Sequence, residues 1–330
     1  MGMVHQLIRK HGHEGALQLE LDRRVVDAAA SYMATEDSSS AYLFSGWAQA
    51  ALPHKKLPDD AAWQVVTDRV TLIVEPGRRA SPDGPVSVGV PYGSRARLIL
   101  LYLQSQALKT DSREVSLGSS LRDWLRRMDI APGGNSIAGV REQAERIARC
   151  RLSFQIKGTD GRSGLVQQQV VDTAMFADAE DSSSGGFVET VQLSQTFFDQ
   201  LRRHPVPVED SAIRVISRHS VALDIYCWLA YRLHVLKDPC EITWRGLQAQ
   251  FGAGTDRLRN FRSRFIENLG LALAVYPDAF VEVTQKGLKL RPSPPPVARQ
   301  VPDAPLIPSS HHRLNARQNA TSYGIRCVTS

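Results

Sequence analysis

Residues 93–172 read GSRARLILLYLQSQALKTDSREVSLGSSLRDWLRRMDIAPGGNSIAGVREQAERIARCRLSFQIKGTDGRSGLVQQQVVD. Their apolar periodicity predicts the order helix, strand, helix, helix, strand, strand. Ser119 or Ser120 is placed to cap the second helix, because a serine side chain can accept a backbone N–H there. The proline and paired glycines of 131–135 predict a turn, after which Ser136 is the expected N-cap of the third helix. This order of elements is that of a winged helix-turn-helix.

The third helix of this stretch carries the residues that indicate a function. Its apolar residues fall on one face at helical spacing; they are Ile137, Val140, Ala144 and Ile147. Arg146 and Arg149 then face away, with Arg141 at the flank. Exposed arginines on a helix that follows a short turn are typical of a protein that reads the major groove of DNA. The same residues also fit a solvated face held by ion pairs at i,i+4 spacing, namely Glu142 with Arg146 and Glu145 with Arg149. This helix alone does not decide between a DNA-reading face and a solvated face.

A second copy of the same order begins at Ser220. It reads VALDIYCWLAYRLHVL, EITW, RGLQAQFG, TDRLRNFRSRFIENLG, LALAVYP and FVEVTQKGLKLRP, which predicts a helix, a strand, two helices and two strands joined by a hairpin turn at 285–287. Thr255 is the expected N-cap of its third helix. The predicted core residues of that helix are Leu258, Phe261, Phe265 and Leu269, and the predicted exposed residues are Arg257, Asn260, Ser263 and Arg264. Two arginine-bearing third helices, each followed by two strands, predict tandem DNA-binding modules.

The sequence therefore predicts an α+β fold with two tandem winged helix-turn-helix domains. We predict the following boundaries: an N-terminal helical or irregular extension (1–64), the first domain (65–176), an acidic Ser/Gly loop (177–186), the second domain (187–292) and a disordered basic Pro-rich tail (293–330). Residues 69–75 and 85–93 predict two strands. These strands either pair with the first wing or build a dimer sheet, and the sequence leaves both alternatives open.

The charge of the chain is a weak guide to its partner. The net charge is +6, but the five arginines and one aspartate of residues 291–330 supply +4 of it. The remaining 290 residues are nearly neutral, so an argument for nucleic acid must rest on where the arginines lie. No apolar run is long enough to span a bilayer, and 1–13 lack the hydrophobic core of a signal peptide. We expect a cytoplasmic protein with no membrane partner.

The motifs of several enzyme classes are missing from the sequence. There is no GxxxxGK[ST] string for a nucleotide phosphate, and the His pairs at 11–13 and 311–312 lack further ligands at useful spacing for a metal. A rolling-circle nicking enzyme would need a pair of metal-binding histidines on a strand, which the sequence does not contain. Tyr226 and Tyr231, which lie on a predicted helix, are then expected to pack in the core. We therefore expect a binding protein with no catalytic residues, no cofactor and no metal.

Several strings resemble one family in the same order. They are VGVPYGSRARLILLYLQSQALKTDSREVSLGSSLRDWLRRM, GG, REQAERIARCRLSF, TFFDQL, HPVP, ALDIYCWLAYRL, ITWRGLQAQFG and VTQKGLKLRPSPP. The chain resembles, over roughly residues 41–295, the RepA-type replication initiators of broad-host-range bacterial plasmids. The resemblance implies a protein that binds repeated double-stranded origin sites (iterons), helps to open AT-rich DNA, and recruits the host initiator and the replicative helicase. Initiators of this type commonly bind an iteron as monomers and repress their own promoter as dimers, so a homodimer is among the implied partners.

Three rival functions are weighed against this expectation. A transcriptional repressor without initiator activity is the first, and two dissimilar modules in one chain favour direct repeats over the palindromes that simple dimeric repressors use. A nicking endonuclease is the second, and the missing histidine motif argues against it. A partitioning or scaffold protein with charged surface helices is the third, and it would bind no plasmid DNA.

Overall fold

The computed structural model describes residues 2–35, 39–67, 70–157, 163–174, 190–255 and 257–297. Helices and strands alternate through these ranges, so the predicted mixture of helix and sheet is confirmed. The acidic loop predicted at 177–186 and all of the predicted tail beyond 297 lie outside the described residues.

The chain begins with two helices that precede a group of short strands. The elements up to residue 89 are α1 (Met3–Leu17), α2 (Arg23–Met33), β1 (Ser40–Phe44), α3 (Ser45–Gln49), β2 (Trp63–Val66), β3 (Val70–Glu75), β4 (Gly77–Arg79) and β5 (Val86–Gly89). The stretch that follows contains the predicted helices and strands of the first module: α4 (Gly93–Lys109), β6 (Glu114–Ser116), α5 (Leu121–Arg127), α6 (Gly134–Arg149), β7 (Arg151–Lys157), β8 (Ser163–Gln168) and β9 (Val171–Ala174). Ser120 caps α5 as predicted, because its side chain accepts the backbone N–H of Asp123.

The second half of the chain again alternates helices and strands. Its elements are β10 (Thr190–Leu193), α7 (Gln195–Arg203), β11 (Pro205–Glu209), α8 (Asp210–Val215), α9 (Ser220–Leu233), β12 (Cys240–Thr243), α10 (Trp244–Phe251), α11 (Leu258–Ala274), β13 (Val281–Val283) and β14 (Gly287–Leu290). The sheet of its last part has the order β12-β14-β13, so the final strand lies between the strand after α9 and the strand after α11.

The strand predicted at 69–75 pairs with the hairpin that was expected to be the first wing. β3 pairs along its whole length with β7 in a sheet of order β2-β3-β7-β8. The inward-facing residues Leu72, Val74, Leu152 and Phe154 are all buried. Because a two-stranded hairpin alone is marginally stable, this continuous apolar face explains why β7 and β8 join β3. The strand predicted at 85–93 pairs with β4 instead.

The strand that follows α4 pairs with a strand from later in the chain. β6 pairs with β10, which in turn pairs with β9, in a sheet of order β6-β10-β9. The small sheet next to α4 is therefore completed by strands that come later in the chain than β7 and β8.

The run LALAVYP at 271–277 was predicted as a strand, and this is wrong. Residues 271–274 continue α11, because Leu269, Ala272 and Val275 are all buried at helical spacing. The wing-like hairpin lies entirely in the next run, as β13 and β14. The N-cap position of α11 is occupied by Arg257 rather than by the predicted Thr255.

The N-terminal helices pack on the second half of the chain. α2 lies against α11 and α8. In α1, the Nε2 atom of His5 is 2.8 Å from the carbonyl oxygen of Ala274. β1 pairs with β11. Leu98 and Leu101 of α4 belong to the same buried cluster as α9 and α11. The two halves therefore share one hydrophobic cluster.

Candidate nucleic-acid interface

α11 has one face in the core and the opposite face in solvent. Phe261, Phe265 and Leu269 are buried as predicted, and the rings of Phe261 and Phe265 lie 5.4 Å apart between centroids. Leu258 was also predicted to be in the core, but its side chain is 36% exposed at the first turn. The three-residue core stripe is enough to set which face of the helix points outward.

The outward face of α11 carries the residues that were predicted to bind DNA. Arg257, Asn260, Ser263 and Arg264 are all exposed, and so is Arg259. Arg259 was not among the predicted residues, although it lies one turn from Ser263 on the same face. We call these five residues the cationic face. None of its three arginines forms an ion pair with any residue in the described ranges.

The acidic residue nearest to the cationic face along the helix is already engaged. Glu267 lies one turn beyond Arg264 and faces Arg24 of α2, at 3.4 Å between Oε2 and Nη2. The turn of the β13–β14 hairpin presents the exposed Lys286, and the first turn of α10 presents the exposed Arg245. An exposed group of guanidinium and ammonium groups with little internal neutralisation attracts an anionic partner.

α6 differs from α11 because its predicted DNA-binding arginine at 146 is buried. Arg146 is only 3% exposed. Its Nη2 lies 2.8 Å from Asp59 Oδ1 and 3.0 Å from Glu142 Oε1, and its Nη1 donates to the carbonyl oxygen of Val90. The prediction that Arg146 faces outward is wrong, because residues 54–60 and 86–92 cover that side of the helix.

The next arginine of α6 is also held by the protein. Arg149 Nε lies 3.2 Å from Glu145 Oε1, and its Nη1 donates to the carbonyl oxygen of Arg78 in β4. A Cβ at Gly77 would lie 2.2 Å from the carbonyl oxygen of Arg149, so only glycine allows β4 to approach the helix this closely. The ion pairs between Glu142 and Arg146 and between Glu145 and Arg149 that the sequence left as an alternative are both present.

The exposed cations beside α6 are only partly those predicted. Arg141 is exposed as predicted. Arg95 of α4 is also exposed and lies across the helix at Gly139, where an added Cβ would be 2.4 Å from its Nη1. α6 begins at Gly134, two residues before the predicted cap at Ser136. Among the described residues, α6 itself therefore presents fewer exposed, unpaired arginines than α11.

One cluster of serine, histidine and aspartate forms where α4 meets α9. His54 Nδ1 lies 3.1 Å from Ser220 Oγ, and His54 Nε2 lies 3.8 Å from Asp224 Oδ2. Arg97 donates to both Asp224 oxygens at 2.6 Å. Burial, and next the neighbouring Arg97, lower the pKa of His54 to about 4, so its imidazole would accept a serine proton poorly. We assign this cluster to the link between the two halves.

Within the described ranges, no helix has both the length and the apolar character needed to cross a membrane. The same ranges contain no group of three or more His, Cys, Asp or Glu side chains arranged to hold a metal ion.

Residues 90–245 match the family described as plasmid-encoded RepA protein. The chain resembles the RepA proteins of plasmids. The resemblance inferred from the sequence is therefore confirmed. The RepA match begins just before α4 and ends within α10, so the cationic face on α11 lies beyond it. No curated protein matches the chain.

Two crystal structures of domains 2 and 3 of RctB are also similar. The selenomethionine derivative aligns with 72% of this chain and 89% of its own, at 14% identity and a TM-score of 0.46. The second covers 74% of this chain and 94% of its own, at 12% identity and a TM-score of 0.40. Both scores are below 0.5, so we draw no argument about fold or function from these likenesses.

Proposed function

We propose that this protein is a plasmid replication initiator that binds repeated origin sites in double-stranded DNA through two winged helix-turn-helix modules. The observation that carries the proposal is the cationic face of α11, whose arginines are exposed and unpaired among the described residues. The match to plasmid-encoded RepA protein supports replication as the context.

The second module supports the winged-helix assignment most directly. The elements follow the order α9, β12, α10, α11, β13, β14, and the last hairpin forms one sheet with β12 in the order β12-β14-β13. In this assignment α11 is the recognition helix and the β13–β14 hairpin is the wing. α11 enters the major groove with Arg257, Asn260 and Arg264 towards base edges and phosphates. The wing turn with Lys286 contacts the phosphate backbone.

The first module has a smaller share in binding under this proposal. Arg141 and Arg95 are the cations that α6 can offer to DNA, because Arg146 and Arg149 are occupied by carboxylates. We propose that α6 holds the protein on the backbone of an adjacent groove, while α11 reads the sequence. Opening of the origin and recruitment of the host initiator and helicase are proposed from the resemblance to RepA proteins.

The test is footprinting of the purified full chain on DNA flanking its own gene, together with a salt titration. Protection of evenly spaced direct repeats, each about two helical turns long, supports the proposal. A single palindromic footprint over the promoter would favour a repressor without initiator activity, and no footprint would favour a scaffold protein.

Variants of the cationic face connect the footprint to the proposed residues. The double change Arg257→Ala and Arg264→Ala is expected to weaken binding, because each base-reading arginine contributes about 1–3 kcal/mol. Arg23→Ala is the control, since Arg23 is an exposed arginine on α2 that is not part of the cationic face. Unchanged affinity of the double variant for the repeats would show that α11 is not the recognition helix.

A further inference from the structure

The first residue of α10, Trp244, is bonded to the wing turn through two donors. Its indole Nε1 donates to the carbonyl oxygen of Gln285 at 3.1 Å. Its backbone N–H donates to the carbonyl oxygen of Lys286 at 3.0 Å. The side chain is 4% exposed. One buried residue therefore holds two consecutive peptide groups of the wing turn, including that of its exposed lysine.

The same indole ring is also packed against α11. The guanidinium carbon of Arg262 lies 5.0 Å from the centre of the ring, and the ring of Phe265 meets it edge-on at 6.1 Å. Arg262 is less exposed than its neighbours on the cationic face. A cation over a tryptophan face is attracted to the ring, so Arg262 fixes Trp244 to the helix that carries the cationic face.

The wing turn itself is tightly closed. Thr284 Oγ1 accepts the backbone N–H of Gly287, and the backbone N–H of Thr284 donates to the carbonyl oxygen of Gly287 at 2.8 Å. A Cβ at Gly287 would lie 1.8 Å from the carbonyl oxygen of Ile242. The turn is therefore a rigid unit, and Trp244 sets where that unit lies.

We propose that Trp244 is a positioning residue that fixes the wing lysine, Lys286, relative to the cationic face of α11, so that wing and helix bind DNA as one preorganised surface. Groups already held in their binding geometry lose less conformational entropy on association. The inference rests on the proposed function, because it assigns the wing turn to the same DNA interface. Trp244 itself does not touch the DNA.

The experiment measures the salt dependence of DNA binding for a set of variants of the full chain. Trp244→Phe keeps an aromatic ring against Arg262 and Phe265 but removes the N–H that holds Gln285. We expect it to weaken binding to the repeats and to reduce the salt slope by about 0.9, the value for one lost phosphate contact. Lys286→Ala is expected to give the same loss. The double variant is expected to bind no more weakly than Lys286→Ala alone, because Trp244 acts through the lysine.

The matched control is Trp124→Phe in the first module. Trp124 is equally buried on α5, and its indole Nε1 has no hydrogen-bond partner among the described residues. This variant should leave the salt slope unchanged. Additive losses in the double variant, an unchanged slope for Trp244→Phe, or normal binding by Lys286→Ala would each overturn the inference. Wild-type protein that binds no repeat would instead overturn the proposed function.

Discussion

The link between the two halves makes a quantitative prediction for the change Arg97→Met. The side chains of Arg97 and Asp224 are 7% and 12% exposed, and the guanidinium donates to both carboxylate oxygens at 2.6 Å. It also donates to the carbonyl oxygens of Leu52, Pro53 and Gly93. Methionine fills much of the same volume but offers no donor.

The size of the effect follows from the buried charge that remains. Removing one partner of a buried ion pair costs about 3–5 kcal/mol, because the other charge stays out of water without compensation. Asp224→Asn should cost less than Arg97→Met, since Arg97 would keep its three carbonyl acceptors. The double variant should be more stable than Arg97→Met alone, because it buries no unpaired carboxylate.

Urea denaturation followed by circular dichroism measures these differences in the free energy of unfolding. They follow from the shift in the urea midpoint when the slope of free energy against urea concentration is unchanged. The two changes should couple by about 0.5–3 kcal/mol in a double-mutant cycle. If Arg97→Met lowered the free energy of unfolding by less than about 1 kcal/mol, the Arg97–Asp224 pair would behave like a solvent-exposed ion pair. That result, or strict additivity, would refute the view that this bridge joins the halves.

Three further outcomes test other parts of the structure. The pKa of His54 lies at about 4, below its ordinary 6.5. As the pH falls, the His54 imidazole is therefore protonated in the unfolded chain before it is protonated in the folded protein. Stability should therefore fall by roughly 3 kcal/mol as pH drops from 6.5 to 4, and urea titrations should show a smaller fall for His54→Gln. Arg146→Ala should lower the melting temperature without changing the affinity of the folded protein for DNA; a normal melting temperature with weaker binding would contradict its buried role. Arg259→Ala should reduce the salt slope of DNA binding by about 0.9, and Arg259→Lys should restore it.

The elements that could be predicted were those set by local pattern. The core stripe of α11 follows from the spacing of Phe261, Phe265 and Leu269, and the cap of α5 follows from Ser120 and its neighbours. The exposure of Arg257 and Arg264 then follows from helical geometry alone. The end of α11 was misjudged because LALAVYP is a short apolar run, and such runs do not distinguish a strand from a buried helix.

The features that could not be predicted depend on residues far apart in sequence. Arg146 is neutralised by Asp59, 87 positions earlier, and no helical pattern contains that information. The pairing of β3 with β7 and the packing of α2 on α11 are likewise long-range contacts. The burial of a charged residue is decided by what covers it, and the cover of α6 comes from residues 54–60, from β4 and from residues 86–92.

The repeated order of elements predicted two DNA-binding helices, and the structure explains why the two helices present their arginines differently. β4 and the residues before α4 lie over one flank of α6, where they supply the carbonyl oxygen of Arg78 and the carboxylate of Asp59 to its arginines. α11 packs against α2, whose Arg24 faces Glu267, and the arginines of the cationic face form no ion pair among the described residues. In one half the neighbouring segment supplies acceptors to the arginines of the third helix, and in the other it supplies an arginine to the carboxylate of the third helix. If DNA binding depends on free guanidinium groups, α11 must therefore contribute more of the affinity than α6, although both helices follow the same pattern in the sequence.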